Sequence, residues 1–153
     1  MSIKPELIKL IAYDLHWFIW CKISKTEDKL QNINSVKKLC KLTNSLSVVE
    51  KQTIKSLARA SVLINHSNLT NEVVNGILHP DATTGRIIVN VYFIKCVCKI
   101  FASHQQVKKS IKFVENIQFL IKEKTIERNS LRNVISIASC LTVIIGLVYT
   151  LHT

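Results

Sequence analysis

Glycine, proline and acidic side chains are all scarce in this chain of 153 residues, which contains 3 Gly, 2 Pro and 10 Asp or Glu. The low glycine and proline content argues against a turn-rich β sandwich, a collagen-like chain or a disordered chain. The sequence also lacks the G-x-S-x-G and H-E-x-x-H motifs and any glycine-rich phosphate loop. Its acidic residues are scattered, and no carboxylate pair stands out. We therefore expect a protein that is not an enzyme.

Cysteine occurs five times, but no C-x-x-C pair is present and no histidine stands at ligand spacing from a cysteine pair. A zinc site is therefore not expected. Cys96 and Cys98 would point to nearly opposite sides of a helix, because two residues advance a helix by about 200°. The remaining explanation is a set of reduced, apolar thiols in a protein that faces the cytosol. The sequence predicts no metal and no cofactor.

Basic residues outnumber acidic ones by 21 to 10, which gives a formal net charge of +11. Such an excess is typical of proteins that bind nucleic acid or an anionic membrane, and of proteins with a solvated basic face. Nucleic-acid binders usually gather arginines and aromatic residues on one element. Here 17 of the 21 basic residues are lysines, and they are spread from Lys4 to Lys124. The pattern disfavours nucleic acid as a partner.

The C-terminal region carries no charged residue after Arg132, and the stretch that begins at Val134 and ends at Leu151 has 18 mostly apolar residues. As a helix it would extend roughly 27 Å, which is just enough to cross a bilayer. Basic residues shortly before it favour a cytosolic body. We therefore expect two parts, a helical domain over residues 1–132 and a transmembrane tail anchor over residues 133–153. The alternative is a buried core helix, and the serines and threonines of the stretch are compatible with it.

Apolar residues recur at three- and four-residue steps through most of residues 6–128, which predicts helices. The predicted helices cover residues 6–22, 36–46, 47–64, 71–78, 87–101 and 107–128. We expect Ser35 to cap the second helix, a break near residues 45–47 to separate it from the third, and Thr83 or Thr84 to cap the fifth. The fifth is apolar nearly all round, as in a buried helix, although residues 87–89 would also suit a strand. The pattern predicts an all-α protein, a single bundle with two long central apolar helices as neighbours.

Residues 71–93 read NEVVNGILHPDATTGRIIVNVYF and resemble the first homology region of the Bcl-2 family of apoptosis regulators. Survival members of that family read close to VVNELFRDGVNWGRIVAFF in this region. The match runs without a gap through residues 73–75 and then through residues 85–87. The family's N-W-G-R core stands here as T-T-G-R at residues 83–86, so its Asn and Trp are replaced.

Other segments are similar to further regions of the same family. Residues 6–15, ELIKLIAYDL, resemble its fourth homology region. Residues 39–46 lie where the third region, L-x-x-x-G-D-x-F, belongs, with Thr43 and Asn44 in place of its Gly and Asp. The apolar tail also fits the family layout, whereas the second region, usually N-G-G-W, is missing. The resemblance covers most of the chain and is specific at residues 71–93.

The resemblance implies that the chain binds an amphipathic helix, the third homology region of a pro-apoptotic partner, in an apolar groove. Arg86 matches the family arginine that pairs with an Asp of the ligand in a bidentate contact. Gly85 would let the ligand backbone approach closely. The matching apolar groove positions are Leu46, Ile54 and Leu57 on one side and Val73, Ile77, Ile88, Val89 and Phe93 on the other. The alternative for these apolar residues is plain core packing.

The direction of action follows from the departures at Thr43 and Asn44. They remove the Gly and Asp through which the third region serves as a ligand, so the resemblance points to the survival branch. The short, lysine- and isoleucine-rich chain points to a viral homologue. We expect an anti-apoptotic protein of the mitochondrial outer membrane, with the endoplasmic reticulum membrane as the alternative, because no basic residue follows the tail.

Two other functions stay open at this point. One is a pore-forming pro-apoptotic member of the same fold. The other is a viral adaptor of this fold that blocks innate immune signalling. The sequence does not decide the ligand selectivity or whether the chain forms a dimer.

Overall fold

The computed structural model of the chain describes residues 4–24, 33–64 and 68–127. Its helices are α1 (Lys4–Ile23), α2 (Asn34–Asn44), α3 (Val48–Leu63), α4 (Leu69–Leu78) and α5 (Thr84–Ser103). A further helix, α6, covers residues 107–127. No strand occurs in these three ranges, so the all-α prediction is confirmed and residues 87–89 are helical.

The helix α5 lies at the centre of the described bundle, in contact with α1, α2, α3 and α4. Half of its 20 residues are buried, because its apolar side chains occur on every side. The predicted central helix is thus confirmed here. The second long helix, α6, differs, because it buries one face through Phe113, Val114 and Ile117 and leaves Lys112 and Phe119 exposed. The expectation of two central helices that are both apolar therefore fits α5 and not α6.

Local hydrogen bonds explain where α3 and α5 begin. The Ser47 hydroxyl accepts a hydrogen bond from the Glu50 backbone N–H at 3.1 Å, and the Glu50 carboxylate accepts one from the Ser47 N–H at 3.3 Å. This capping box satisfies two amides at the start of α3 and confirms the expected break before it. Thr83 caps α5 by accepting a hydrogen bond from the Arg86 N–H at 3.2 Å.

The start of α2 differs from the prediction. Ser35 does not cap it, because the helix begins at Asn34 and Ile33 stands at the capping position without a side-chain hydrogen bond. Two side chains of the first turns, Val36 and Leu39, are fully buried instead. Packing against the core, rather than a polar cap, therefore stabilises this end of α2.

The chain divides into two compact units, residues 1–121 and residues 122–153. All features discussed below belong to the first unit. Of the second, residues 122–127 are described, and they are helical. The predicted boundary after residue 132 and the predicted tail anchor from Val134 to Leu151 lie outside the described residues. Among the helices that are described, none combines the length and the apolar character needed to cross a membrane.

Candidate functional site

The turn between α4 and α5 presents the Gly-Arg pair that the sequence singles out. Pro80 has no amide hydrogen, and α4 ends two residues before it, at Leu78. His79 then organises the turn, because its carbonyl accepts a hydrogen bond from the Ala82 N–H at 3.0 Å and its Nδ1 accepts one from the Asp81 N–H at 3.1 Å. Ala82 is buried, so the turn is anchored to the core.

The ammonium group of Lys4 ties the start of α1 to this turn. It donates hydrogen bonds to the carbonyl oxygens of His79 at 3.2 Å and Pro80 at 3.0 Å. The turn is thus held by the buried side chain of Ala82 and by the hydrogen bonds from Lys4. The first turn of α5, which follows directly, therefore has a fixed position.

Gly85 faces open space at the start of α5. A Cβ added to it would meet nothing nearer than the Thr83 hydroxyl oxygen at 3.8 Å. No packing contact therefore requires a glycine at this position. The backbone of the first turn is therefore accessible beside Gly85.

Arg86 is exposed, and no carboxylate of the described residues forms an ion pair with it. The backbone carbonyl of Arg86 has a local partner, because it accepts a hydrogen bond from the Asn90 side chain at 2.9 Å. A positive charge in the first turn is opposed by the helix dipole. The guanidinium group therefore lacks a balancing charge within the described part of the chain, and an external carboxylate would supply one.

A close approach of α4 to α5 lies beside this pair. A Cβ added to Gly76 would lie 3.0 Å from Nδ2 and 3.1 Å from Oδ1 of Asn90, so only a glycine fits there without a shift. The same Nδ2 donates to the Arg86 carbonyl. Sequence reasoning did not identify this contact, because nothing in the spacing of Gly76 and Asn90 indicates that they meet.

The apolar residues predicted to line the groove are mostly buried. Five of the eight belong to the core, namely Ile54, Val73, Ile77, Ile88 and Phe93. Leu46 and Val89 are half-buried and pack against it, while Leu57 is 58% exposed. The structure thus brings α3, α4 and α5 together around these residues. For the five residues that belong to the core, burial agrees with the alternative of plain core packing.

The outer face of α3 carries several apolar side chains among its polar ones. Its buried residues are Ile54 and Ala58, although the helix has 16 residues. Val48, Val49 and Leu57 are more than half exposed. Few side chains of α3 are therefore buried against the core at this wall of the predicted groove.

Cys98 packs between α5 and α6. Its thiol lies 4.0 Å from the Ser110 carbonyl oxygen, and the Ser110 hydroxyl donates a 2.9 Å hydrogen bond to the Cys98 carbonyl. Burial raises the pKa of this thiol to about 12, so it is not a nucleophile near neutral pH. Across the described ranges, no group of three or more His, Cys, Asp or Glu residues could hold a metal ion.

Two cavities lie away from the predicted groove. One, of about 450 Å³, opens between α1 and α6 beside Trp17, Trp20 and Ile111. The other, of about 730 Å³, is lined by Lys22 of α1, by residues of α2 that include Val36 and Lys37, and by Ser45. The sequence indicated Trp17 and Trp20 as a widening of the α1 apolar face, but neither cavity was predicted, because each joins residues distant in the chain.

No family model, curated protein or solved structure matches this chain. The resemblance to the Bcl-2 family therefore rests on the residues quoted above.

Proposed function

We propose that the chain is a Bcl-2-like, anti-apoptotic protein that sequesters the third-homology-region helix of pro-apoptotic partners. The observation that carries this proposal is the exposed Gly85-Arg86 pair at the start of a buried central helix. Open space lies beside Gly85, and Arg86 has no carboxylate partner among the described residues. This arrangement suits a helical ligand that brings its own carboxylate.

In the proposed complex, Arg86 forms a bidentate contact with the Asp of the ligand. The planar guanidinium group fixes the direction in which the ligand helix lies. The ligand backbone passes beside Gly85, where a side chain would otherwise stand. Its apolar anchors contact Leu57 and Val89 first, since these side chains are already accessible.

Deeper insertion of the ligand requires α3 to shift. Ile54 and Phe93 are buried at 6% and 8% exposure, so they become groove residues when α3 moves away from α5. The displacement exposes Ile54 and Ala58, and burying an isoleucine side chain contributes about 1.5–3 kcal/mol. The apolar face of the ligand replaces the contacts that are lost.

The packing of α2 supports a role in binding ligands rather than in being one. The Thr43 side chain is 2% exposed, and its hydroxyl donates to the Leu39 carbonyl at 2.8 Å. Val36 and Leu39 are fully buried on the same helix. The segment that would serve as a third homology region thus has its apolar face in the core. We assign the chain to the survival branch on these grounds.

The proposed protein acts at the mitochondrial outer membrane, with the endoplasmic reticulum as the alternative. The stretch from Val134 to Leu151 would anchor it, and residues 1–132 would form the cytosol-facing, Bcl-2-like bundle. The partner is a pro-apoptotic protein, and no nucleic acid or cofactor is involved.

Calorimetry on the full chain in detergent micelles tests the groove. It is titrated with a panel of third-homology-region peptides, alongside the variants Arg86→Ala and Lys112→Ala, the latter removing an exposed cation on α6. We expect a Kd below about 1 μM for at least one peptide. Arg86→Ala should weaken binding at least about tenfold, or ~1.4 kcal/mol, and Lys112→Ala should leave it unchanged. A well-folded chain that binds none of the peptides contradicts the proposal.

A second candidate is the adaptor of the same fold that blocks innate immune signalling. The burial of Ile54, Val73, Ile77, Ile88 and Phe93 favours it, because a filled groove has no need of a death ligand. This function predicts that Arg86→Ala leaves the suppression of innate signalling intact in cells. The groove-binding function predicts that the same variant loses protection against apoptosis. A third reading, the pore former, requires the chain to permeabilise liposomes without a partner.

A further inference from the structure

A cavity of about 730 Å³ lies where the end of α1 meets the outer face of α2. Its polar lining consists of Lys22 from α1, Lys37 and Lys41 from α2, and Asn44 and Ser45 where α2 ends. The volume falls within the range of about 300–1,000 Å³ typical of small-molecule sites. The cavity belongs to neither the Gly85-Arg86 pair nor the apolar residues discussed above.

The charges around this cavity are unbalanced. Among the described residues that line it, none is acidic. Lys37 and Lys41 stand one helical turn apart, which places two like charges on the same face of α2. The carboxylate of Glu6 pairs at 4.0 Å with Lys38, which does not line the cavity.

Lys22, which lines the cavity, also acts on a lysine of the central helix. Lys95 on α5 is half-buried, and its pKa is lowered to about 8, first by burial and then by repulsion from Lys99 and Lys22, with a smaller contribution from Lys51. Lys22 thus both lines the cavity and lowers the pKa of Lys95. Mutual repulsion of this kind destabilises a fold unless an anion is bound.

Helix ends account for part of the pattern only. Lys22 and Lys41 lie in the last turns of α1 and α2, where a cation is favoured by the helix dipole. That explanation does not apply to Lys37, which stands in the first half of α2, or to Lys51, which lies in the first turn of α3. Lys37 lines the cavity and is placed to bind a ligand there, whereas Lys51 does not line it.

We propose that this cavity is a binding site for a compact, multiply charged phosphate, with the ammonium groups of Lys22, Lys37 and Lys41 as its donors. Lysine binds phosphate as a point charge, whereas recognition of a planar carboxylate usually employs the arginine fork, which is absent here. The side-chain amide of Asn44 can donate a further hydrogen bond. The phosphate comes either from a soluble phosphomonoester or from a phosphorylated lipid headgroup.

Calorimetry with inositol 1,4,5-trisphosphate and with inorganic phosphate tests the site on the full chain in detergent micelles. The test variant is Lys37→Gln with Lys41→Gln, and the matched control is Lys108→Gln with Lys112→Gln, which removes the same charge from exposed positions on α6. We expect the trisphosphate to bind more tightly than inorganic phosphate. The test variant should weaken it at least about tenfold, and the control less than about twofold. Absence of binding, or an equal loss in both variants, overturns the proposal.

Cosedimentation with vesicles distinguishes the two sources of phosphate. The vesicles contain phosphatidylcholine with phosphatidylinositol 4,5-bisphosphate, or with enough phosphatidylserine to carry the same charge. Retention that is stronger on the bisphosphate and is lost in Lys37→Gln with Lys41→Gln supports the lipid headgroup. Binding of the trisphosphate in solution, without any lysine-dependent difference between vesicles, supports a soluble ligand. Equal retention on both vesicles, weakened equally by both variants, means diffuse charge attraction and overturns the site.

Discussion

The side chain of Asn90 occupies the space next to Gly76, where a Cβ would lie only 3.0 Å from its Nδ2. The same Nδ2 donates to the Arg86 carbonyl, so the contact joins the crossing of α4 and α5 to the turn that carries the predicted ligand-binding arginine. A glycine in a helix normally costs about 1 kcal/mol relative to alanine. At this position a larger residue would contact Asn90 where the two helices cross, so the crossing favours glycine.

Gly76→Ala should therefore fail to give the stabilisation that a helix-interior alanine usually brings, because the new methyl group pushes Asn90 away from the Arg86 carbonyl. In an Asn90→Ala background the same substitution should stabilise. We expect the two substitutions together to cost about 1 kcal/mol less than the sum of their separate effects. Urea denaturation of the two single variants and the double variant measures this coupling. Additive effects would show that the helices separate freely at this point.

Gly85→Ala should behave in the opposite way. The space beside Gly85 is open, so the free energy of unfolding should stay within about 0.5 kcal/mol of the wild type or rise slightly. Binding of third-homology-region peptides should weaken, because the methyl group stands where the ligand backbone passes. Chemical denaturation and calorimetry on the same preparation separate the two effects. Unchanged peptide affinity would place the ligand away from the start of α5.

Lys95 should make stability depend on pH. Its pKa is about 8 in the folded chain and about 10.5 when unfolded, so the unfolded chain binds more protons between these values and stability rises with pH. Below pH 8 the cost of burying the charge is fully present. Lys95→Met should therefore stabilise the protein at pH 7, with an advantage that shrinks as the pH rises above 8.

Denaturation at pH 7, 8 and 9 measures this difference, with the exposed Lys112→Met as the control. The charged or ionisable groups that act on the pKa of Lys95 are Lys99, Lys22 and Lys51, which lower it, and Cys96, which raises it. The Lys95 ammonium also lies 4.8 Å from the centre of the Tyr92 ring. These groups remain present in both proteins that are compared. A difference that does not vary with pH would mean that Lys95 is better solvated than its burial indicates.

Thiol alkylation should discriminate between Cys98 and Cys40. Cys98 is fully buried with a pKa near 12, whereas Cys40 is half-buried beside the lysine-lined cavity. We expect iodoacetamide at pH 8 to label Cys40 in the native protein and to leave Cys98 unlabelled, as read by peptide mass spectrometry. Ser110→Ala should speed the labelling of Cys98, because it removes the hydrogen bond that joins α5 to α6. Rapid labelling of Cys98 in the native wild type would contradict its packed position.

The helices could be predicted well where local signals are strong. The apolar run of α5 and the break before α3 were both identified, because hydrophobic period and the Ser47-Glu50 capping box are encoded within a few residues. The start of α2 was misjudged, since the burial of Val36 and Leu39 outweighs the absence of a cap. Tertiary packing of this kind leaves no local signature.

The same difference between local signals and tertiary packing applies to the site residues. The cap at Thr83 follows from a short local motif and is confirmed, and the Gly85-Arg86 pair beside it is exposed. Burial of Ile54 or Phe93 could not be predicted, because helical periodicity is the same for a core residue and a groove residue. The lysine-lined cavity could not be predicted from the sequence for another reason. Lys22 and Lys37 lie on different helices and meet only in the folded chain.

The hydrogen bonds from Lys4 to the carbonyls of His79 and Pro80 span 75 and 76 positions of sequence. They can form only after α4 and the turn beyond it have left the ribosome. The apolar face of α1, which includes Leu7, Ile11 and Leu15, must wait equally long for its contacts with α5. Contacts of such long range slow folding and leave hydrophobic surface uncovered during synthesis. The nascent chain should therefore depend on chaperones for roughly its first half, until the central helix arrives to receive α1.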